Sequence, residues 1–492
     1  MPAATTATAG TARPDVLDLS PELAARIPPI QVAMWRDAAR RVGNCAHPVR
    51  LRGQVHQVDR ATGELREVYA TDREPDGLLR KPCGNRRASV CPACAEVYRQ
   101  DAYQLLRAGL AGGKGVPESV AEHPALFVTF TAPSFGPVHR HHTTPTGRLL
   151  PCQVRRRAEV CPHGVRLECR RVHPAGDPRV GEPLCSRCYD YTRHVLFNAL
   201  APELWRRTTI NLPRALAHAA GLTHAELRRR VRVRFAKVAE YQTRGAIHYH
   251  AIIRLDACPP ADHPDQITPP PAPFDVELLE YALRAAAGKA KLHIPNPDDP
   301  TRGLLLRWGD QLDTRPITTS SQATLSAEQV AGYIAKYVTK STEILGLTLQ
   351  RRLTDRAVDY LSHQGLRPHV VRLVQTTWTL GGHPHLAHLK LRGWAHQLGF
   401  GGHWSTRSRR YSTTMTALRR ARAEHTRRAR WPNRLPLDAW GRLETDQAVE
   451  VLATWSYVGS GWRTQVERQL AVAAAVRARE HRRLARRQRA TA

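Results

Sequence analysis

The sequence predicts an α+β fold, because it contains both a clear β-hairpin and a clear amphipathic helix. Residues 231–240 alternate between apolar and polar or small side chains with the period of a strand. A second strand follows a short turn, at residues 246–255, so the two segments form an antiparallel pair. Residues 126–131 form a third, apolar strand, and residues 326–342 have the pattern of a helix.

The charge of the chain indicates which partner it has. The 492 residues include 74 Lys and Arg against 43 Asp and Glu, which gives a formal net charge of +31. A protein keeps such a charge when it works on a polyanion, so we expect nucleic acid and not a small neutral substrate. With 42% hydrophobic residues, disorder throughout is not expected. No secretory or membrane segment is visible, so we expect a cytoplasmic protein with no membrane partner.

Two histidines lie in the second strand of the hairpin. His248 and His250 point to one face, where two imidazoles can bind one divalent metal; the alternative is two incidental polar residues on a half-exposed strand. Glu240 on the partner strand is a candidate third ligand. A turn of odd effective length, or a bulge, would place it beside His248, whereas a four-residue turn would pair it with Ile247 and turn the carboxylate away. The sequence leaves both registers open.

The predicted helix begins with a capping box, formed by Ser326 and Gln329. Four residues at helical spacing form a polar stripe on it: Tyr333, Lys336, Tyr337 and Lys340. The neighbouring apolar stripe is expected to be buried: Val330, Ile334 and Val338. Only 8 of the 74 basic residues are Lys, so two on one stripe indicate a need for a compact ammonium, which binds phosphate as a point charge. The alternative is an ordinary amphipathic helix with two half-buried tyrosines.

Taken together, three segments resemble the motifs of the HUH rolling-circle replication initiators. In chain order they are Phe127-Val-Thr-Phe-Thr131, His248-Tyr-His250 and Tyr333-Ile-Ala-Lys-Tyr337-Val-Thr-Lys340. The paired tyrosines resemble the two-tyrosine branch. The segments from Cys83 to Cys94 and from Val238 to Gly245 are similar to the RepSA-type initiators of actinobacterial plasmids and integrative elements, over most of residues 40–460.

The resemblance implies an HUH endonuclease domain with a central antiparallel sheet flanked by helices. It implies nicking and religation of a DNA origin, single-stranded or cruciform at the nick, through a 5′-phosphotyrosine. Tyr333 and Tyr337 would be nucleophiles, and Lys336 or Lys340 would hold the phosphate. Mg²⁺ or Mn²⁺ would be bound by His248 and His250, with Glu240 as the candidate third ligand. The freed 3′-OH implies a host helicase and polymerase as partners.

Two other functions fit parts of the pattern. An HUH transposase or a mobilisation relaxase would use the same chemistry. A non-catalytic zinc-containing DNA-binding regulator would explain the charge and the cysteines, but it would leave the tyrosine helix and the histidine pair as coincidence.

Ten cysteines in a reducing compartment indicate zinc. The first expected structural site comprises Cys45, Cys83, Cys91 and Cys94. The second comprises Cys161, Cys169, Cys185 and Cys188, although Cys152 or His163 could replace one member; the alternative is buried, reduced thiols. Two further histidine groups are expected to lie in loops. His139 to His142 form a solvated loop or contact phosphate, and His383 with His385 is expected to bind no metal.

The chain is too long for one core, and we expect several regions. These are a flexible leader (1–30), a Cys-containing region (31–115), the HUH nicking domain (120–345) with a Cys-rich insertion (about 140–195) and a Pro-rich linker (256–275), a C-terminal region (346–460) and a basic helical tail (461–492). Five arginines of the C-terminal region either form a DNA-binding helix or belong to a solvated basic face: Arg407, Arg409, Arg410, Arg419 and Arg420. The oligomeric state is left open.

Overall fold

The computed structural model describes residues 29–317, 325–339, 353–430 and 449–491, apart from residues 61, 75, 158, 298 and 300. Two compact units divide the chain, one formed by Met1–Tyr98 with Glu424–Ala492 and the other by Arg99–Ala423. Most of the predicted leader (1–30) lies outside the described residues, as do parts of the predicted C-terminal region (346–460). Across the described ranges, no helix is both long and apolar enough to cross a membrane.

The strands are, in chain order, β1 (Val49–Asp59), β2 (Leu65–Ala70), β3 (Leu79–Lys81), β4 (Ala125–Phe130), β5 (His142–Thr143), β6 (Leu149–Gln153), β7 (Cys169–Val172), β8 (Val231–Tyr241), β9 (Ile247–Ala257), β10 (Lys291–Pro295), β11 (Gly303–Arg307), β12 (Leu312–Pro316), β13 (Ser405–Arg407) and β14 (Val449–Ser460). The helices are α1 (Pro29–Arg41), α2 (Pro92–Ala111), α3 (Tyr191–Ala219), α4 (His224–Arg230), α5 (Val276–Lys289), α6 (Ala327–Tyr337), α7 (Asp355–Asp359), α8 (Pro368–Leu380), α9 (Leu391–Trp394), α10 (Met415–Arg430) and α11 (Gln465–Thr491).

The first unit is built on a four-stranded antiparallel sheet. The strand order is β14-β1-β2, and β3 also pairs with β1. The long β1–β14 pair joins segments from the two ends of the chain. A small core contains Trp35 and Trp462, whose ring centroids are 5.6 Å apart, together with the first cysteine group.

A five-stranded antiparallel sheet forms the centre of the second unit. Its strand order is β12-β4-β9-β8-β13, so the predicted hairpin occupies two inner positions. The predicted mixture of helices with antiparallel sheets is therefore confirmed. The Cys-rich insertion forms a separate small sheet in the order β5-β6-β7.

One face of the central sheet packs into the main hydrophobic core. Tyr249 and Phe130 point to this face because side chains alternate along each strand. Both rings pack against Trp205 of α3, with centroid distances of 6.1 and 5.5 Å. Trp308 closes the cluster and donates a 3.0 Å hydrogen bond to Thr208. The apolar residues of β9 thus anchor the strand, and its opposite face is left to the histidines.

An asparagine on α3 fixes the turn between β8 and β9. The side chain of Asn198 is fully buried and accepts a 2.9 Å hydrogen bond from the amide of Ile247. It donates to the carbonyl oxygens of Gly245 and Leu398, at 3.0 and 3.1 Å. Gly245 has a φ of +83°, and an added Cβ would lie 2.9 Å from the side chain of Leu373. This position therefore requires glycine.

A buried lysine on β8 gives the core a specific pH dependence. The Nζ atom of Lys237 lies 3.8 Å from the centre of the Tyr249 ring and 3.4 Å from the carbonyl oxygen of His403. Burial lowers the pKa of Lys237 to about 7, from an ordinary value of 10.5. Between these two pH values the unfolded chain binds more protons than the folded chain, so stability rises with pH.

We expect Lys237→Met to remove this dependence and to raise the free energy of unfolding at pH 7 by about 3–5 kcal/mol, since one pKa unit corresponds to about 1.4 kcal/mol. Denaturant unfolding at pH 7 and pH 10 would measure the difference from the wild type. The exposed Lys291 provides the matched control, Lys291→Met, which should keep the wild-type slope. A Lys237→Met variant with the wild-type slope would contradict this assignment.

Candidate functional site

The turn of the β8–β9 hairpin decides the register of the site. Tyr241 pairs with Ile247, which leaves a turn of five residues, 242–246. With this odd length, Glu240 pairs directly with His248. The carboxylate therefore points to the same face of the sheet as the two imidazoles. Of the two registers that the sequence leaves open, the structure has the one that brings Glu240 to the histidines.

Three side chains on this face form a compact group of metal-ligand atoms. The Oε2 atom of Glu240 lies 3.1 Å from Nε2 of His248 and 3.3 Å from Nε2 of His250. All three ligand atoms lie within 4.8 Å of one another. Imidazole nitrogen and carboxylate oxygen together suit several divalent ions, including Mn²⁺. The group could therefore hold one metal ion.

A threonine from the neighbouring strand orients one of these imidazoles. Thr129 on β4 pairs with His250 on β9, and its Oγ1 atom lies 3.1 Å from Nδ1 of His250. Because Nδ1 is engaged there, Nε2 is directed at Glu240. On the other side of Thr129, Asp313 of β12 is its direct partner, which adds a second carboxylate to this face.

The protonation states of the group favour metal binding. Burial alone would raise the pKa of Glu240, but hydrogen bonds with His248 and His250 outweigh it and lower this pKa to about 2. Burial lowers the pKa of His250, against the opposing effect of Glu240. At neutral pH the carboxylate is therefore charged and His250 is neutral, which is the state in which both can bind a cation.

Helix α6 lies over the same face of the sheet. Ser326 and Gln329 form the predicted capping box, with reciprocal hydrogen bonds of 3.0 and 3.2 Å. The apolar stripe is buried as predicted: Val330, Ile334 and Val338. The helix is thereby held in a fixed rotation about its axis, with its tyrosine stripe toward the histidines.

Both tyrosines of α6 contact His250. The Tyr333 ring is 5.2 Å from the imidazole centroid, and the Tyr337 ring stacks on it at 5.4 Å. The two tyrosine rings meet edge to face at 4.9 Å. Tyr333 is 43% exposed, whereas Tyr337 is only 8% exposed. Burial and a hydrogen bond with Tyr333 raise the pKa of Tyr337.

Only one of the two lysines of the predicted stripe lies in the described part of the chain. Lys336 is exposed, and its ammonium lies 5.6 Å from the centre of the Tyr337 ring. Lys340 lies outside the described residues. One cation is therefore placed next to the tyrosine pair.

The five predicted DNA-binding arginines do not share one helix. Arg407 ends β13, which extends the central sheet by pairing with β8. Arg409 and Arg410 lie in the turn that follows. Of the five, helix α10 carries Arg419 and Arg420, both exposed. The expected helix therefore begins later than the basic run, because the first part of that run is an edge strand.

The first cysteine group comes together in the first unit: Cys45, Cys83, Cys91 and Cys94. Two of the sulfur–sulfur distances are 3.7 and 3.8 Å, between Cys83 and Cys94 and between Cys91 and Cys45. Hydrogen bonds from the neighbouring thiols lower the pKa of Cys91 well below its usual range. This group could hold a metal ion such as zinc.

The cysteines of the insertion form two groups where the sequence predicts one. One group comprises Cys161, His163, Cys185 and Cys188. The other comprises His139, Cys152, Cys169 and His173. Cys169 is therefore not in the group of Cys161; His163 takes its place, which is one of the replacements that the sequence leaves open. Cys169 opens β7 and pairs with Gln153 of β6, next to Cys152. His139, expected in a solvated loop, is half-buried.

The His383–His385 pair and Cys258 belong to no metal-ligand group in the described part of the chain. The His383–His385 pair lies at the start of a short 3₁₀ helix, Pro384–Leu389. Cys258 donates a weak hydrogen bond to the carbonyl oxygen of Pro259.

Asn198 is a residue of the site that the sequence analysis does not identify. It positions the turn between β8 and β9, but nothing in the sequence around it indicates this role, since an asparagine within a helix is not unusual.

Comparison with known proteins identifies the family. The family model described as "RepSA: Replication initiator protein, pSAM2" matches residues 31–476. The chain is also 43% identical over 435 residues to a replication initiator protein of Streptomyces ambofaciens, and this alignment covers 87% of each of the two chains. The chain belongs to the RepSA family of replication initiators. No solved structure matches it. The Glu240 group, the tyrosine helix and the three Cys-containing groups all lie within the part of this RepSA initiator that the family model matches.

The hydrogen bond between Thr129 and His250 generates a prediction for this RepSA initiator. We expect Thr129→Val to weaken Mn²⁺ binding at the Glu240 group by about tenfold, because the imidazole loses its orientation. Titration of the purified protein with Mn²⁺ would measure the change. Thr131→Val is the matched control, since Thr131 donates to the carbonyl oxygen of Gln311 and not to a histidine. Equal Mn²⁺ affinities for the two variants would exclude this role of Thr129.

Proposed function

We propose that this RepSA initiator nicks and rejoins DNA at its replication origin, with tyrosine as the nucleophile and a divalent metal as cofactor. Tyr333 and Tyr337 would attack the phosphate. Glu240, His248 and His250 would hold Mg²⁺ or Mn²⁺. We further infer that the five-stranded sheet with α6 is an HUH nicking domain of the two-tyrosine type.

The single observation that carries the proposal is the contact between the tyrosine pair and the metal-ligand group. Both phenol rings lie within 5.4 Å of the His250 ring, although helix and strand are far apart in sequence. DNA binding alone does not require two tyrosine rings in contact with a group of three metal-ligand atoms. The non-catalytic regulator leaves this contact unexplained.

The reaction conserves the energy of the phosphodiester bond. A tyrosine oxygen bonds to the phosphorus, the bond from phosphorus to the 3′-oxygen breaks, and the tyrosine proton is lost while the 3′-oxygen gains one. The products are a 5′-phosphotyrosine and a free 3′-OH. The reverse attack by a 3′-OH restores the DNA and the tyrosine. A free 3′-OH is the end that a host polymerase extends, behind a host helicase.

The neighbouring residues support each requirement of this reaction. Bound Mg²⁺ or Mn²⁺ would polarise the scissile phosphate and offset the charge of Glu240, which contributes to the raised pKa of Tyr337. Lys336 is exposed beside Tyr337, where its ammonium can hold a phosphate oxygen. Lys340 is proposed for the same role from its sequence spacing. The net charge of +31 supplies affinity for the DNA backbone.

The same chemistry would serve a transposase or a mobilisation relaxase. Membership of a replication initiator family favours origin nicking over both. The direct test is incubation of the protein with a supercoiled plasmid that carries the replication origin of the DNA molecule encoding it, with and without Mg²⁺ or Mn²⁺. Metal-dependent relaxation with covalently attached protein is the expected result. DNA binding without relaxation in any metal would favour the regulator.

The tyrosine pair gives the sharpest prediction. We expect Tyr333→Phe and Tyr337→Phe each to leave some cleavage or joining, because either phenol can reach the same phosphate, and the double variant to leave no covalent adduct. A labelled oligonucleotide across the nick, followed by peptide mapping, would place the adduct within residues 333–337. Tyr360→Phe, at an exposed tyrosine, is the matched control with wild-type activity. Full nicking by the double Phe variant would move catalysis off α6.

The histidine pair gives a second prediction. His248→Ala combined with His250→Ala should reduce nicking by about a hundredfold or more, since metal stabilisation of a phosphate transition state amounts to several kcal/mol. Duplex affinity should stay nearly unchanged, because it comes mainly from arginine contacts to phosphate. His383→Ala with His385→Ala is the control for a second His-x-His sequence. Unchanged nicking by the first double variant would remove the metal site from the mechanism.

A further inference from the structure

The Cys-rich insertion contains two sets of ligand atoms at zinc-binding distances. Zinc binds sulfur at about 2.3 Å and imidazole nitrogen at about 2.0 Å, so tetrahedral ligand atoms lie about 3.3–3.8 Å apart. In the group that contains His139, Nδ1 of this residue is 3.2 Å from Nε2 of His173 and 3.9 Å from the sulfur of Cys152. The sulfur of Cys169 is 3.4 Å from Nε2 of His173.

The second set has similar dimensions. Nδ1 of His163 lies 3.2 Å from the sulfur of Cys188, 3.7 Å from that of Cys185 and 4.0 Å from that of Cys161. Each set offers four ligand atoms of the types that structural zinc sites use. No residue belongs to both sets, so a single ion cannot satisfy them.

An outer partner orients the His173 ligand. Nδ1 of His173 donates a 2.7 Å hydrogen bond to Oδ2 of Asp177. A carboxylate can only accept, so the proton of this imidazole is on Nδ1, and Nε2 is left with its lone pair toward Cys169 and His139. Zinc-bound histidines usually have such a carboxylate or carbonyl partner. His173 and Cys152 are fully buried, which protects the site from solvent.

The backbone of His139 is connected by hydrogen bonds to the segment that packs against the β8–β9 turn. The amide of His139 donates to the carbonyl oxygen of Glu182, and its own carbonyl accepts from Gly181, both at 2.8 Å. Gly181 in turn lies against the turn between β8 and β9, since an added Cβ would be 2.4 Å from the carbonyl oxygen of Thr243. Arg367 donates to the carbonyls of both Val180 and Thr243, at 2.9 and 3.0 Å.

A histidine on α8 adds a second connection. The amide of His369 donates to the carboxylate of Glu182 at 3.1 Å. Its Nε2 atom lies 2.8 Å from the carbonyl oxygen of Arg244, within the hairpin turn. The segment 180–182 is therefore held on one side by His139 and on the other side by the turn.

We propose that residues 139–188 bind two zinc ions at separate sites, and that the ion at His139, Cys152, Cys169 and His173 braces the β8–β9 turn. Together with the Cys45 group, the chain would hold three zinc ions. The bracing ion maintains the turn conformation that keeps Glu240 opposite His248. This second part of the proposal rests on the proposed catalytic metal site.

Zinc counts on the full chain test the number of sites. Elemental analysis should give three zinc ions per wild-type chain, two for Cys169→Ser, two for Cys185→Ser and one for the double variant. A single shared site in the insertion would give the same loss for the double variant as for either single variant, and would overturn the proposal. Cys258→Ser is the matched control and should keep all the zinc.

Thiol mapping of the wild-type protein covers the case in which a variant does not fold. Alkylation with and without a zinc chelator, followed by mass spectrometry, should show Cys152 and Cys169 reacting only when the chelator is present. Cys258 should react in both conditions. If Cys152 and Cys169 react equally in both conditions, they hold no metal and the proposal is wrong.

Mn²⁺ affinity tests the bracing role without relying on nicking. Cys169→Ser should bind Mn²⁺ at the Glu240 group about tenfold more weakly than Cys258→Ser. The His248→Ala, His250→Ala variant supplies the background. Unchanged Mn²⁺ affinity in a folded Cys169→Ser protein that has lost one zinc would overturn the bracing role. If the wild type binds no Mn²⁺ above background, the proposed catalytic metal fails, while the zinc counts are judged independently.

Discussion

The pairing of β8 with β9 is the constraint on which the site depends. Because side chains alternate along a strand, the length of the connecting turn decides whether Glu240 shares a face with the histidines or points into the core. The core fixes one side of this pair through Tyr249 and its aromatic neighbours. Asn198 fixes the end of it by binding Gly245 and Ile247. The aromatic core and Asn198 of α3 therefore both stabilise the same register of β8 against β9.

Much of the site was predictable because its signals are local. Strand alternation located β8 and β9, and the capping box at Ser326 located α6 with the correct buried stripe. The register of Glu240 was not predictable, since it depends on contacts of the turn with Asn198, which is distant in sequence. The elements that carry the five arginines from Arg407 to Arg420 were not predictable, because composition does not distinguish an edge strand from a helix.

The cysteine groups illustrate the same limit. Cys185 and Cys188 could be paired from their spacing, because Cys-x₂-Cys is fixed by the local chain. The choice between Cys169 and His163 could not be made from spacing, since the neighbours of Cys169 follow from the pairing of β7 with β6. His139 lies 34 residues before His173 of the same group, and nothing in its own loop distinguishes it from a solvated histidine. Ligand sets that depend on tertiary contacts cannot be assigned from local spacing.

The unequal exposure of the two tyrosines has a consequence for the order of events. The Tyr333 ring is exposed and the Tyr337 ring is buried, and the two rings meet edge to face. Under the proposed chemistry, a DNA strand that arrives from solution would meet the exposed phenol of Tyr333 first. Under the proposed chemistry, once a strand is covalently attached there, the inner phenol remains sheltered beside His250 as a reserve nucleophile. The two tyrosines of α6 would then act in separate steps of the cycle, because one is exposed and the other is buried.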